Sequence, residues 1–293
     1  VCNGILNIPL ILATAKFLPP SSPHAKQGAN LNMPTLEETK NDGMRIAKFL
    51  AHRGVASRRE IERLLADGKI ICNGEILTNP ATHVSDADEI SVSGKKIAAK
   101  EHSRLWIFHK PKGCITTHHD PQSRTRVFDL LPSGMPRVVS VGRLDYNSEG
   151  LLLLTNDPNI AHHLEHPKNA WKRRYRVRAY GKWNKAAMDN LAHAKHSDDT
   201  KILYQAFTYE YERQQGENHW ISMTLTEGKN REIRNLLESI NLEVNRLIRV
   251  SYGPFHLGNL PTKSIKEVPQ KNLRELLGSI HNAAEKKKPC SES

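Results

Sequence analysis

Cysteine is sparse and unpatterned in this chain of 293 residues: Cys2, Cys72, Cys114 and Cys290 stand far apart. No CxxC pair occurs and no His/Cys group has zinc-ligand spacing, so neither a disulfide framework nor a metal is expected to organise the fold. A reduced, cytoplasmic chain is the expectation. The adjacent pairs His118–His119 and His162–His163 do not change this, because neighbouring residues rarely chelate one ion together. Long apolar runs are also missing. The stretch Ile5–Leu18 is interrupted by Pro9, is too short to cross a bilayer and lacks a positive leading region. No membrane association follows from it. Glycine-rich phosphate loops of the dinucleotide or P-loop kind are absent as well, so no nucleotide cofactor is expected.

Positive charge is abundant. Forty-three Lys and Arg against 31 Asp and Glu leave a formal net charge of +12. Such a surplus favours a polyanionic partner, RNA or DNA ahead of an acidic membrane, although charge alone leaves the matter open. Hydrophobic residues at 38% suffice for real cores, and the length accommodates two domains. Domain-like patterning starts only near Met44. Residues 1–43 are therefore expected to be a disordered extension, with Met33 or Met44 nearer the natural start. At the other end, residues 279–293 with the run Lys286–Lys288 read as a basic, solvated tail.

A small module is legible over 44–103. Ile46, Phe49 and Leu50 recur at helical spacing and Gly54 suits the helix end. Ser57-Arg58-Arg59-Glu60 is a capping box opening a second helix, with Ile61, Leu64 and Leu65 as its apolar stripe and Gly68 as its stop. Asn73–Gly74 marks a hairpin between short strands. Arg45, Lys48, Arg53, Arg58, Arg59 and Arg63 must gather outside if the stripes face inward. That face would neutralise phosphates; an ordinary charged surface, with Glu60 and Glu62 pairing Arg63, is the alternative.

Over 104–278 strands outnumber helices and mostly adjoin each other, which predicts an α+β domain with a largely antiparallel or mixed sheet. Arg104–His109 reads as a strand followed by the turn Lys110–Gly113. Arg174–Ala179 alternates as a strand, Lys185–Ala194 and Asn230–Ile240 read as helices, and Arg246–Tyr252 as a further strand. Asp157 is placed to cap a helix opened by Pro158.

The densest signal is Val141–Asp157, VGRLDYNSEGLLLLTND. A valine-rich strand and a four-leucine run, both of the kind buried on two faces, flank a short polar loop. Such a loop is a rigid mount for a reactive group. Arg143 and Asp145 are two apart and point the same way on extended backbone. A plain turn built from Asp and Asn would look similar. Glu149 reads as a further loop residue rather than a second working carboxylate.

The whole string resembles the catalytic motif of the RsuA/RluB family of bacterial pseudouridine synthases, at nearly every position of GRLDYNSEGLLLLTND. The resemblance implies that Asp145 is the catalytic aspartate. Likewise RIAKFLAHRGVASRREIERLLADGKIICNG resembles the RNA-binding domain of the ribosomal-protein-S-four type, which docks such helices on structured RNA. Three further places gain meaning from the likeness. Tyr175, by itself a packing residue or a base-stacking one, is implied to line the active site against the target uracil. Arg173 stands where many relatives carry Lys. EGKNREIR, residues 227–234, looks like the family's C-terminal motif; on that basis Arg234 is the candidate ion-pair partner of Asp145, Ile233 an apolar wall and Arg231 a substrate contact, with Asn235 where relatives often have a second Arg. Lys110-Pro111-Lys112-Gly113 is similar to the family's KPxG turn, which places Lys110 beside the cleft; a plain surface turn is the other reading. Arg143 completes the substrate-binding set.

The resemblance covers about residues 44–270. It implies a cofactor-free isomerase of uridine in ribosomal RNA, acting as a monomer on the RNA or a ribosomal precursor particle. VGRLDYNSEG, REIRN and NRLIRVSYGPF look closest to the large-subunit RluB branch, with the small-subunit RsuA branch as runner-up. A non-catalytic RNA-binding assembly factor is the alternative of a different class. A hydrolytic N-glycosylase would share the bond-breaking step and would release free uracil.

Overall fold

The computed structural model describes residues 43–193, 196–197 and 203–285. The expectations for residues 1–42, and for the tail beyond Glu285, lie outside the described residues. Helix formation continues through residues 279–285, where a tail was expected, because the last helix runs Gln270–Glu285.

The front module follows its sequence closely. Strand β1 (Met44–Arg45) leads into α1 (Ile46–His52), then α2 (Arg58–Ala66), β2 (Ile70–Cys72), β3 (Glu75–Ile76), β4 (His83–Val84), β5 (Ile90–Val92) and β6 (Lys95–Lys96). Ser57 caps α2 by accepting the Glu60 amide at 3.2 Å. Asn73 and Gly74 both take positive φ, 51° and 87°, as a two-residue hairpin turn requires. Ile46, Phe49, Leu50, Ile61, Leu65, Ile70, Val84 and Ile90 close one core. Arg45, Lys48, Arg58, Arg59 and Arg63 are exposed, as expected from the inward stripes, and Arg63 pairs with Glu60. Arg53 is the exception. Its guanidinium lies 3.7 Å from the Phe49 ring centroid and pairs with Asp86, leaving its side chain 11% exposed. It is therefore a packing residue and not part of the free basic face.

The larger part runs β7 (Leu105–Lys110), a 3-10 turn at Val127–Leu130, β8 (Val139–Val141), β9 (Glu149–Thr155), α3 (Pro158–Glu165), β10 (Arg173–Tyr180), α4 (Lys185–His193), β11 (His196–Ser197), β12 (Leu203–Tyr204), β13 (Thr208–Gln215), β14 (Asn218–Leu225), α5 (Glu232–Glu238), β15 (Glu243–Tyr252), β16 (Phe255–His256), β17 (Ile265–Glu267) and α6 (Gln270–Glu285). Nine strands form one mixed sheet with the path β13-β14-β10-β15-β9-β7-β17. The β9–β15 pairing is parallel and its neighbours along the path are antiparallel. The architecture is α+β, as the succession of strands predicts.

All seven residues of β9 are buried. Leu152 and Leu154 enter the core shared with α4 and α5, whereas Leu151 and Leu153 enter the core shared with α3 and α6. The unbroken leucine run is thus the signature of a strand covered on both faces. At its start β9 meets β15 closely: a methyl group at Gly150, whose φ is +105°, would stand 2.4 Å from the Arg249 carbonyl oxygen. Only glycine permits that approach. Downstream, β9 exchanges β15 for β8 as its neighbour on that side. The Gly142–Ser148 loop emerges where the two diverge. Glu149 is not in that loop. It begins β9, is 8% exposed, and forms an ion pair with Arg246 at 2.7 Å.

The segment joining the two parts is tied to the far end of β9. Asp157 caps α3 through the Asn159 amide (2.9 Å) and also accepts from Ser103 Oγ (2.6 Å) and Lys100 Nζ (3.3 Å). Asn156 accepts from the Arg104 amide and donates to the His102 carbonyl. Among the described residues no helix is long and apolar enough to cross a membrane.

Candidate active site

The Gly142–Ser148 loop is held through its carbonyl groups. Thr116 Oγ donates to Leu144 O (3.0 Å), Lys110 Nζ to Asp145 O (3.0 Å) and Ser148 O (2.8 Å), the Gly113 amide to Tyr146 O (2.9 Å), and Arg234 Nη2 to Asn147 O (3.2 Å). Every carbonyl from Leu144 to Ser148 is therefore taken by a donor from outside the loop. With the backbone fixed, alternation decides where side chains go. Leu144 enters the core at 7% exposure, while Arg143 and Asp145 line a cleft of about 1000 Å³. Arg143 and Asp145 meet in that cleft, which Leu144 also borders.

Tyr175, Arg173, Arg231 and Ile233 line the same cleft. Tyr175 comes from β10 and is 9% exposed. Arg173 is anchored by its own hydrogen bonds, from Nη1 to Thr226 O and from Nη2 to Tyr252 Oη, each 2.8 Å. Three expectations need correction. Lys110 is neither a surface residue nor a substrate contact: it is fully buried, and its three hydrogen bonds go to Pro111 O, Asp145 O and Ser148 O. An ammonium has three protons, and all are used inside the protein. Burial pushes its pKa below the usual lysine range. Arg234 makes no ion pair with Asp145. It donates to Val244 O (2.7 Å) and Asn147 O, so it holds the loop from behind. Burial and the Arg231 charge lower its pKa, and Asp145 opposes them, which places the carboxylate within electrostatic reach. Arg231 is not on the helix with Arg234: it precedes α5 in the left-handed region (φ 51°) and is exposed.

Sequence reasoning missed Glu232. Its carboxyl is 4% exposed, lines the cleft and accepts the Lys229 amide at 2.9 Å. Burial, and then the neighbouring Glu227 carboxylate, raise its pKa to about 7, against the opposing pull of that amide. Glu227 is held below the ordinary range despite its own burial, by Lys229 and the Gln205 amide. The proton of this pair therefore resides on Glu232. A carboxyl whose pKa rises on folding contributes most stability below its unfolded value, near 4.5, and loses it as pH climbs through about 7. Thermal melts between pH 5 and 8 are expected to show Glu232→Gln overtaking the wild type at the alkaline end; parallel curves would refute the assignment. The only sequence signal for Glu232 was its place inside the EGKNREIR string.

Among the described residues no group of three or more His, Cys, Asp or Glu converges as metal ligands would. The cleft offers the Asp145 carboxylate, a phenol ring, an apolar wall and several guanidinium groups to an anionic ligand, with the carboxyl groups of Glu165, Glu227 and Glu232 elsewhere along its lining.

Comparison with known proteins follows this geometry. Residues 44–90 match the S4 domain family and residues 104–239 match the family described as RNA pseudouridylate synthase. An uncharacterized RNA pseudouridine synthase of Rickettsia typhi is 45% identical over 235 residues, covering 80% of this chain and 96% of that one. The ribosomal large subunit pseudouridine synthase B of Pasteurella multocida is 37% identical over 256 residues, covering 84% of this chain and 73% of that one. A crystal structure of a pseudouridylate synthase superposes with a TM-score of 0.56 at 21% identity, over 80% of this chain and 99% of that chain, and bears on the fold alone. With an S4 domain ahead of a synthase domain, and relatives of this identity along most of its length, the chain belongs to the RNA pseudouridine synthases.

Proposed function

We propose that the protein converts one uridine of ribosomal RNA, in the large subunit, to pseudouridine, and that Asp145 is the group that does so. The observation that carries this reading is the Asp145 carboxylate, presented into a basic cleft by a loop whose carbonyls from Leu144 to Ser148 are all held. The large-subunit assignment is supported by the description of the Pasteurella multocida relative.

The reaction breaks the bond between C1′ and uracil N1 and rejoins the sugar to C5 of the same ring. It needs no redox partner and no group donor. It needs an ionised carboxylate at the ribose, acting either as nucleophile on C1′ or as base toward C2′. The target base must first leave its stack, at a cost of a few kcal/mol. Tyr175 offsets that cost by stacking on the ring, and Arg143, Arg173 and Arg231 by meeting phosphates. Arg45, Lys48, Arg58, Arg59 and Arg63 add affinity at the S4 module without reading sequence. Lys110 and Arg234 act on the loop and not on the RNA.

Mapping pseudouridines in ribosomal RNA from cells with and without the protein is expected to show one large-subunit position reverting to uridine. An unchanged map would remove the proposed substrate, and a change confined to small-subunit RNA would move it.

A further inference from the structure

Among the described residues, Arg249 is a buried cation with no carboxylate partner. It lies on β15, lines the cleft and is 2% exposed. Its Nε donates to Leu151 O at 2.8 Å, and its guanidinium carbon stands 5.2 Å from the centroid of the Tyr252 ring. Nη2 is buried with no hydrogen-bond partner, and among the described residues no carboxylate pairs with this guanidinium. The contrast on the same strand is direct, since Arg246 has Glu149 at 2.7 Å. A guanidinium does not shed its proton, so burying one without a counter-charge is unfavourable unless an anion arrives.

Its position says where that anion forms. Arg249 is the register partner of Tyr175 across β10 and β15, and of Gly150 across β15 and β9. Directly opposed residues present their side chains to one face. The cation therefore shares the cleft with Tyr175 and Asp145, on a strand paired with the one that follows the Asp145 loop.

We propose that Arg249 stabilises the uracil ring while it is detached from the ribose. The proposal rests on the isomerase reading above. When the C1′–N1 bond breaks, its electron pair goes to N1 and spreads onto the O2 and O4 carbonyl oxygens. The sugar carbon is satisfied by the Asp145 carboxylate in one route, or by loss of the C2′ proton to it in the other. C5 then bonds to C1′, the C5 hydrogen leaves as a proton, and N1 takes one up, so no atom is gained or lost. The intermediate uracil is an anion beside a buried guanidinium, and a fixed, desolvated N–H donor is worth far more than one in water. A group made for the separated ring, and not for the intact nucleotide, speeds the bond-breaking step without tightening RNA binding.

The test uses the full chain and a short RNA hairpin carrying the mapped uridine, with 5-fluorouridine as a second substrate. Fluorouracil is the more acidic ring and bears negative charge with less help. Arg249→Met is expected to slow single-turnover cleavage of the N1–C1′ bond in the uridine hairpin by about 10²–10³-fold, with the RNA Kd nearly unchanged. The loss is expected to shrink at least several-fold on the fluorinated hairpin, and Arg249→Lys to recover part of the rate. Circular dichroism and thermal melts establish that the variants are folded, and Arg249→Lys carries the test should Arg249→Met fail to fold. Equal losses on both substrates would overturn the proposal. So would a loss confined to Kd, which would assign Arg249 to phosphate binding. If wild-type protein leaves every uridine intact, the isomerase reading itself falls.

Discussion

Asp145→Asn is expected to abolish conversion of the target uridine, by about 10⁴-fold or more, while RNA binding holds within about twofold. The amide keeps the size of the carboxylate but can neither attack C1′ nor accept a proton from C2′. Its backbone carbonyl still accepts from Lys110, so the loop keeps its shape. Affinity resides mainly in guanidinium and ammonium groups that the substitution leaves alone, including the exposed cations of α1 and α2. Single-turnover assays scored by reverse-transcription mapping, with filter binding in parallel, separate the two quantities. Wild-type rates in the variant would end the assignment of Asp145; lost binding with preserved chemistry would recast it as an RNA contact.

Lys110→Met is expected to cost about 3 kcal/mol of stability and about 10²-fold in rate, although Lys110 touches no substrate. Two effects oppose each other. Methionine relieves the desolvation that burying an ammonium imposes, and its length refills the space. Against this, Pro111 O, Asp145 O and Ser148 O all lose a charge-assisted donor inside the protein. Asp145 O keeps the Ser148 amide (3.1 Å) and Pro111 O the Cys114 thiol (3.4 Å), but each lost charge-assisted bond still costs roughly 1–3 kcal/mol, and the three together outweigh the relief. The loop then relaxes by shifting Asp145, and a displacement near 1 Å suffices for the expected loss in rate. Thermal melts and kcat check the two halves separately. Unchanged activity at reduced melting temperature would show that the loop is held adequately by Thr116, Gly113 and Arg234 alone.

Much of this was legible in the chain because the relevant signals are local. The leucine run announces a strand covered on both faces, Asp157 and Pro158 announce the start of α3, and Asn73–Gly74 announces a hairpin. Asp145, Tyr175, Arg173 and Ile233 meet in one cleft, as the motif likeness implies. What escaped was partnership across the fold. Whether Lys110 turns outward or into the sheet depends on carbonyls 35 and 38 residues away, and no periodicity encodes that. Helical spacing places Arg53 with the free cations because it cannot reveal Asp86, which lies 33 residues on. The sequence pattern leaves Glu149 in the loop because the strand boundary is set by β15, through the glycine contact, and not by its own neighbours. The motif likeness pairs Arg234 with Asp145, whereas its guanidinium is occupied by Asn147 and Val244 carbonyls.

The bonds that join Asn156 and Asp157 to residues 100–104 have a geometric consequence. They moor the front module, residues 44–103, to the strand whose other end carries the Asp145 loop. The offset between the two is then set by the length of one rigid strand and not by a slack tether.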